Sequence, residues 1–149
     1  MKAEELWSKF CNEKGIDVNT PYEAWQFGGD PDKLADLVVK GIKTATASAY
    51  DLYFVEGEEE PVPEEGMFSV ILDSCDEAVC VIMTTRVYVV PFDEVSREHA
   101  YLEGEGDRSL QYWREVHEEF FNDCYAETDL TFNYKSRVVC EEFKMIYKA

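Results

Sequence analysis

A long run rich in β-branched residues, AVCVIMTTRVYVV at positions 78–90, constrains the fold more than any other segment. Val, Ile and Thr favour extended strands, so the run predicts one long strand that needs neighbours along its length. Two further strands are predicted at 67–72 and 136–147. The last one alternates between apolar and polar residues, although Glu141 interrupts its apolar face. The sequence therefore predicts a sheet that contains at least these three strands.

Helix signals flank the predicted strands. Asp30 as N-cap, Pro31 at the first helical position and Gly41 as a left-handed exit predict one helix. Thr20 with Pro21 predicts the start of another. The helical segments predicted by capping or apolar periodicity are 3–14, one beginning at Thr20, 30–41, 92–100 and Ser109–Cys124. Because helices and strands do not alternate along the chain, we expect an α+β fold around a mostly antiparallel, barrel-like sheet.

The bulk properties fit a single domain, residues 1–149, with a core large enough to fold alone. No segment is apolar for as long as a membrane-spanning helix requires, and the charged N-terminus lacks the hydrophobic region of a signal peptide. A cytoplasmic location is therefore expected. The five cysteines include no C-x-x-C pair, which predicts buried, reduced thiols rather than a disulfide framework or a zinc site. The sequence predicts no particular oligomeric state.

The formal net charge of −18, from 32 acidic and 14 basic residues, restricts the possible partners. Generic binding to duplex DNA is disfavoured, because a phosphate backbone attracts the opposite sign. A free nucleoside needs only a neutral, aromatic-lined pocket, which favours a small ligand over a long RNA. A continuous basic stripe through Lys40, Lys43, Arg86 and Arg108 would reverse that preference. The acidic segment 56–65 fits either a solvated loop or a mobile lid over a site.

Common metal and phosphate motifs do not occur in the chain. The two histidines, His99 and His117, are far apart in sequence and form no H-x-x-x-H pair. EGEGD at 103–107 places carboxylates at alternate positions, as in half of a calcium loop, but the remaining spacing is missing. The chain has no P-loop and no G-x-S-x-G elbow. We therefore expect neither a metal nor a cofactor.

The segment GIKTATAS at 41–48 brings Lys43 and Thr46 close together directly after a helix end. The two side chains would share a face on a helical turn and lie on opposite faces of a flat strand, so they converge only where a turn enters a strand. There the lysine could take the threonine's hydroxyl proton and make the oxygen a nucleophile. Desolvation favours the neutral lysine that this requires, whereas the protein's negative charge opposes it. Spacing alone favours a surface lysine at a helix-to-strand junction.

A set of motifs along most of the chain resembles one known family. The matching residues are AWQFG (24–28), ADLVVKGIKTATAS (35–48), EEGMFSVILD (64–73), VCVIMTTRVYVVPFDEV (79–95), HAYLEGEGDRSLQYWREVHEEFF (99–121) and VVCEEFKMIY (138–147). On these residues, and above all on G-x-K-T-x-T with a downstream H-A-x-x-E, the chain resembles the stand-alone bacterial branch of the ASCH (activating signal cointegrator homology) domain. The resemblance implies a PUA-like β-barrel of mostly antiparallel strands with flanking helices. It also implies a cleft beside G-x-K for RNA or nucleotides.

One branch of small family members is similar to an amidohydrolase that removes the acetyl group of N4-acetylcytidine. The resemblance implies that Lys43 is the base, Thr46 the nucleophile and Glu103 a further catalytic group that orients the lysine or protonates the leaving amine. Glu105 and Asp107 are rivals for the role of Glu103. The chain departs from that branch by a longer N-terminus and by its acidic insert.

The expected ligand is a nucleoside or nucleotide, with single-stranded RNA as the other candidate. Trp25, Phe27 and Tyr50 are candidate platforms for a flat base, since stacking on an aromatic ring contributes about 1–3 kcal/mol per base. Arg86 and Arg108 could meet a phosphate or a carbonyl. The full set of predicted ligand contacts is Trp25, Phe27, Thr44, Ser48, Tyr50, Arg86, Asp107 and Arg108.

Two other functions stay open at this point. The chain could be a non-catalytic module that binds RNA. It could also be a ribonuclease, as another family member is described, in which Lys43 would act with Ser48 or Tyr50. A nucleoside amidohydrolase is the leading hypothesis.

Overall fold

In a computed structural model that describes all residues from Met1 to Ala149, five strands form one curled sheet, a half-barrel, with four helices around it. The strands are β1 (Tyr22–Gln26), β2 (Ala45–Ala49), β3 (Phe68–Leu72), β4 (Ala78–Pro91) and β5 (Arg137–Lys148). The helices are α1 (Ala3–Lys14), α2 (Pro31–Val39), α3 (Arg97–Glu103) and α4 (Leu110–Ala126). The predicted α+β class with a mostly antiparallel, barrel-like sheet is confirmed.

Strand β4 lies at the centre of the sheet, as its length and β-branched composition require. The strand order is β1-β3-β4-β5-β2, and β4 pairs antiparallel with both β3 and β5. Register shifts interrupt its ladder with β5 between Val81 and Ile82 and again between Thr84 and Arg86. Such bulges bend a strand and increase its twist, so they help the long strand to curl.

The segment that begins at Thr20 is a strand and not a helix, so this prediction was wrong. Residues 22–26 form β1, which pairs in parallel with β3, and the Tyr22 ring stacks on Trp7 of α1 at 4.4 Å between centroids. Pairing and aromatic packing outweigh a capping signal that contributes only about 1 kcal/mol. Pro21 precedes the first strand residue, where its missing N–H costs no ladder hydrogen bond.

Two helix boundaries differ from the prediction for the second half of the chain. Residues 92–94 form a 3₁₀ turn, and α3 begins after Ser96, whose hydroxyl accepts a hydrogen bond from the His99 N–H. Helix α4 begins after Ser109 and ends at Ala126, two residues beyond the predicted end at Cys124. The buried side chains of α4 are Trp113, His117, Phe121 and Tyr125.

The helices α1 and α2 pack on opposite faces of the β3–β4 pair. Successive residues of a strand point to opposite faces of the sheet. Val70 and Val81 therefore contact α1, whereas Ile71 and Ile82 contact α2. A third apolar cluster holds α3 and α4 against β2 and β5. None of the four helices has the length and apolar character that a membrane crossing needs. The cysteines are all free thiols, and Cys75 is exposed, contrary to the expectation that all are buried.

Candidate functional site

The turn between α2 and β2 directs Lys43 into the protein. Gly41 has a φ of +75°, and the N–H groups of Ile42 and Lys43 both donate to the Leu37 carbonyl, which ends the helix in a left-handed turn. The Thr44 N–H then donates to the Leu102 carbonyl of α3 at 2.8 Å. Lys43 is only 1% exposed. The expectation of a surface lysine was wrong because α3 covers this junction.

Two carboxylates bind the Lys43 ammonium. Its Nζ lies 2.9 Å from Glu105 Oε2 and 3.4 Å from Glu103 Oε1, and it also donates to the Glu103 carbonyl at 3.4 Å. The Glu105 side chain is 19% exposed, whereas that of Glu103 is 2% exposed. The lysine therefore has one inner and one outer carboxylate partner.

Glu103 is the centre of a buried polar network. Its Oε2 accepts a hydrogen bond from the Trp113 indole N–H and lies 2.7 Å from His99 Nε2. Its Oε1 lies 3.5 Å from His117 Nε2, and the other His117 nitrogen is 2.8 Å from the Trp113 carbonyl. The rings of Trp113 and His117 stack at 4.1 Å between centroids. One carboxylate thus connects the α2–β2 turn with α3 and α4.

The network holds Glu103 in its ionised form. Burial by itself would raise the pKa of Glu103, but the Lys43 ammonium and His117 hold it well below the ordinary value of 4.5. Burial by itself would lower the pKa of His117, but the Glu103 carboxylate raises it above 6.5. An ionised carboxylate accepts hydrogen bonds and has no proton to donate. Glu103 is therefore suited to orienting Lys43 and not to protonating a leaving group.

Two adjoining cavities open beside this network. The larger, of about 970 Å³, is lined by Trp25, Ser48, Glu141 and the acidic segment, among others. The smaller, of about 330 Å³, is lined by Lys43, Glu103, Glu105 and His117, among others. The residues that line both are Phe27, Gly28, Thr46, Ala47 and Phe120. Thr46 is the only one of these five with a polar side chain.

The structure brings the three predicted catalytic residues to one place. Lys43, Thr46 and Glu103 all line the smaller cavity, and Thr46 is half-buried on β2. The Thr46 hydroxyl makes no hydrogen bond to the Lys43 ammonium, whose hydrogen bonds all go to Glu103 and Glu105. Of the rivals for the role of Glu103, Glu105 also lines this cavity, whereas Asp107 is exposed and caps the Ser109 N–H.

Three of the predicted ligand contacts line the larger cavity. Trp25 and Phe27 meet edge to face at 4.9 Å between centroids, and Phe27 also packs against the core. Ser48 is hydrogen-bonded to the Tyr53 hydroxyl at 2.8 Å. The predicted residues that line neither cavity are Thr44, Tyr50, Arg86, Asp107 and Arg108.

The arginines and lysines near the site do not form a continuous basic stripe. Lys43 is buried, and Lys40 pairs with Asp36 at 2.6 Å. Arg86 pairs with Glu142 at 3.0 Å, and Arg108 stacks on the Tyr101 ring at 3.7 Å. The four residues of the predicted stripe therefore do not form a continuous basic track.

Tyr50, proposed as a base platform, lies under the Arg137 guanidinium.

Sequence reasoning missed several residues of the two cavities. Glu23 and Tyr53 line the larger one, and His117 lines the smaller one. Glu141 is only 7% exposed and also lines the larger cavity. A signal for Glu141 was present, because a charged residue interrupts the apolar face of a predicted strand. For His117 the sequence contained no signal beyond its position in a predicted helix, since its partner Glu103 belongs to another helix.

A close approach at Gly104 provides a test of how the α2–β2 turn is held. Gly104 ends α3 with a φ of +72°, and a Cβ there would lie 2.5 Å from the Ile42 carbonyl oxygen. Gly15 ends α1 with a φ of +67° and has nothing within 4 Å of such a Cβ. We expect Gly104→Ala to lower the free energy of unfolding by about 1–3 kcal/mol more than Gly15→Ala, because overpacking adds to the shared backbone strain. Urea unfolding measures both, and equal losses would contradict the close contact.

The half-barrel with a buried lysine beside two cavities defines a PUA-like α+β protein. A family model described as ASCH domain matches residues 23–147, so the chain belongs to the ASCH domain family. An ASCH domain from Lactobacillus crispatus JV V101 is similar, with 29% identity, a TM-score of 0.84 and coverage of 96% of this chain and 95% of that chain. No protein among those with curated functions matches the chain.

Two other solved structures are also similar. Protein EF3133 from Enterococcus faecalis V583 has 33% identity and a TM-score of 0.85, over 97% of this chain and 88% of that chain. The hypothetical protein PH0355 has 16% identity and a TM-score of 0.54, over 84% of this chain and 97% of that chain, and so supports the fold alone. The predicted family is therefore confirmed along nearly the whole chain.

Proposed function

We propose that this protein binds an uncharged nucleoside-like ligand across the two cavities and hydrolyses an N-acyl amide on it. The position of Thr46 carries the proposal: it is the shared polar side chain of both cavities, and the Lys43–Glu103 pair lines one of them. A nucleophile at such a junction can reach a bond whose two halves lie in different cavities. The family resemblance assigns the same three residues to amide hydrolysis.

The lining of the larger cavity favours a flat ligand without phosphate. Trp25, Phe27 and Tyr53 supply aromatic surface, on which a base stacks with about 1–3 kcal/mol. Five glutamates and no lysine, arginine or histidine line this cavity. A phosphate there would meet like charges without a cation to offset them. A nucleoside therefore fits better than a nucleotide.

The reaction begins with the Thr46 hydroxyl. As Lys43 passes a proton to Glu105, it takes the hydroxyl proton, and the oxygen forms a bond to the amide carbonyl carbon. The carbon–nitrogen bond then breaks, and the amine leaves with the proton returned through Lys43. Water cleaves the acyl-threonine ester, which releases the carboxylic acid and restores the hydroxyl. Glu103 stays ionised and holds the lysine in place.

An RNA-binding role, which the ASCH resemblance also implies, is less well supported in this chain. Of the four residues that a basic stripe would need, Lys43 is buried, Lys40 and Arg86 pair with acids, and the net charge of the protein is −18. A long RNA groove needs a basic track. A ribonuclease is disfavoured as well, since Lys43 lines one cavity, Ser48 lines the other, and Tyr50 lines neither.

A panel of N4-acylated cytidines tests the proposed function. We expect the wild-type protein to release the carboxylic acid from at least one member, which chromatography of the nucleoside product measures. Cytidine should bind more tightly than its 5′-monophosphate by roughly tenfold, because the cavity carries only negative charge. No turnover across the panel by folded protein would remove the hydrolase proposal, and tighter binding of the monophosphate would contradict the proposed ligand class.

A further inference from the structure

Glu141 is the nearest cross-strand neighbour of Thr46. The two residues are directly opposite each other in the antiparallel β2–β5 ladder. Side chains in such positions lie on the same face of a sheet, with Cβ atoms about 4.5–5.5 Å apart. Both side chains line the larger cavity. A ligand atom that reaches Thr46 from this cavity therefore comes close to the Glu141 carboxylate.

The Glu141 carboxylate has one oxygen available to a ligand. Its Oε2 accepts a hydrogen bond from the Thr84 hydroxyl at 2.6 Å, and its Oε1 makes no hydrogen bond within the protein. No lysine, arginine or histidine forms a salt bridge with Glu141, which is only 7% exposed. Burial and, to a smaller extent, the Glu23 charge raise the pKa of Glu141 above its ordinary value. A carboxylate oxygen that lines a cavity without a partner in the protein can accept a hydrogen bond from a ligand.

We propose that Glu141 determines ligand specificity by accepting an N–H from the ligand, so that the site selects rings with an amino group over rings with an oxo group. This inference rests on the proposed function, because it assumes that the larger cavity holds a nucleoside-like ligand. The residue becomes a recognition group that contacts the ligand beside the nucleophile.

The position of Glu141 agrees with the bond that Thr46 would attack. In an N-acyl amide, the nitrogen is bonded to the carbonyl carbon, so the N–H lies one bond away from the reacting atom. A carboxylate directly across the ladder from the nucleophile is placed to accept that N–H. After hydrolysis the same nitrogen is an amino group and still donates. An oxo group would instead present an acceptor to the ionised Glu141 carboxylate and leave two lone pairs facing each other.

Neighbouring groups reinforce a preference for donors over acceptors or anions. Glu23 from β1 and Glu60 from the acidic segment also line the cavity. The Tyr53 hydroxyl, which also lines the cavity, is hydrogen-bonded to Ser48 at 2.8 Å. The charges around Glu141 are therefore negative, and an N–H is the ligand group that lowers the electrostatic cost.

Binding of matched nucleoside pairs by isothermal titration calorimetry tests this inference. Cytidine and uridine form one pair, and adenosine and inosine form the other, since each differs in an amino against an oxo group. We expect the wild-type protein to prefer the amino member by about 10- to 100-fold, the range for a hydrogen bond to a charged group. Glu141→Met should remove most of that preference, because it keeps the length of the side chain and removes the acceptor.

Two further variants serve as controls for the same measurement. Glu142→Met changes the next residue of β5, which pairs with the exposed Arg86 and does not line the larger cavity, and should keep the preference. Glu141→Gln keeps an oxygen but loses the charge, so its preference should lie between those of the wild type and Glu141→Met. If Glu141→Met does not fold, the glutamine variant alone decides the result.

The possible outcomes separate this inference from the proposed function. An unchanged amino preference in folded Glu141→Met or Glu141→Gln overturns the role of Glu141. Wild-type binding of both members with equal affinity overturns it as well, and leaves nucleoside binding intact. Binding of neither member of either pair overturns both this inference and the nucleoside ligand.

Discussion

Replacement of Glu103 by alanine is expected to lower the free energy of unfolding by about 3–5 kcal/mol, the cost of removing one partner of a buried ion pair. The substitution leaves the Lys43 ammonium, 1% exposed, with one remaining carboxylate. It also removes the acceptor of the Trp113 indole N–H and the contact of His99 at 2.7 Å. Each of these groups is at most 2% exposed, so water can replace little of what is lost. Urea unfolding followed by fluorescence measures the loss.

Glu105→Ala is the matched control for this prediction. Glu105 binds the same ammonium at a shorter distance, 2.9 Å, but its side chain is 19% exposed, so water replaces part of what is lost. We therefore expect a smaller destabilisation than for Glu103→Ala. If the two variants lose equal stability, or if Glu105→Ala loses more, the central role of Glu103 in the network is contradicted.

The same network gives the stability a defined dependence on pH. The pKa of Glu103 is lower in the folded than in the unfolded protein, so its contribution is present above about pH 4.5 and is lost as the pH falls through the folded value. The pKa of His117 is raised, so its contribution is full below about pH 6.5 and is lost as the pH rises through the folded value. Glu103→Ala should weaken both dependences, since each group is shifted through the other.

Thr46→Ala is expected to lower kcat for an N-acyl nucleoside by about 10³-fold or more, the scale of effects seen when a nucleophile is removed. The half-buried side chain makes no hydrogen bond within the protein, so alanine should leave the fold intact. Thr46→Ser keeps the hydroxyl and should retain activity within about tenfold, because the same oxygen attacks without the methyl group. Steady-state kinetics on the best member of the N4-acylcytidine panel measures both variants.

Ser48→Ala is the control for a lost hydroxyl in the same strand. Ser48 lies two residues from Thr46 and also lines the larger cavity, but its hydroxyl is bonded to Tyr53. We expect a change in KM larger than the change in kcat. Turnover by Thr46→Ala close to that of the wild type would exclude Thr46 as the nucleophile and leave water as the attacking group.

Local patterns predicted most of the fold, because they report interactions between residues close in sequence. The β-branched run at 78–90, the Asp30 cap and the Gly41 exit all correspond to observed elements. The error at Thr20 has a different origin. There the local capping signal competes with parallel pairing to β3, a partner more than forty residues away, and the long-range interaction wins.

The site was predicted less completely, for the same physical reason. The resemblance supplied Lys43, Thr46 and Glu103, and the structure brings these three together. The residues that complete the site come from distant elements, such as Glu141 on β5 and His117 on α4. Neither residue belongs to a local motif, since the residues that each one contacts come from other strands and helices of the folded protein. The burial of Lys43 could not be predicted from the sequence either, because Lys43 is covered by α3, which is distant in sequence.

The shared carboxylate of Glu103 has a consequence for how relatives of this protein evolve. The ion pair of Lys43 with Glu103 connects the α2–β2 turn to α3 and α4, so it is expected to stabilise the fold whether or not a reaction takes place beside it. Selection for a stable protein would therefore keep both residues even in a relative that lacks the proposed chemistry. Thr46 makes no such stabilising contact, so its substitution is expected to be tolerated more readily. The threonine, more than the lysine or the glutamate, should distinguish relatives that react from relatives that only bind.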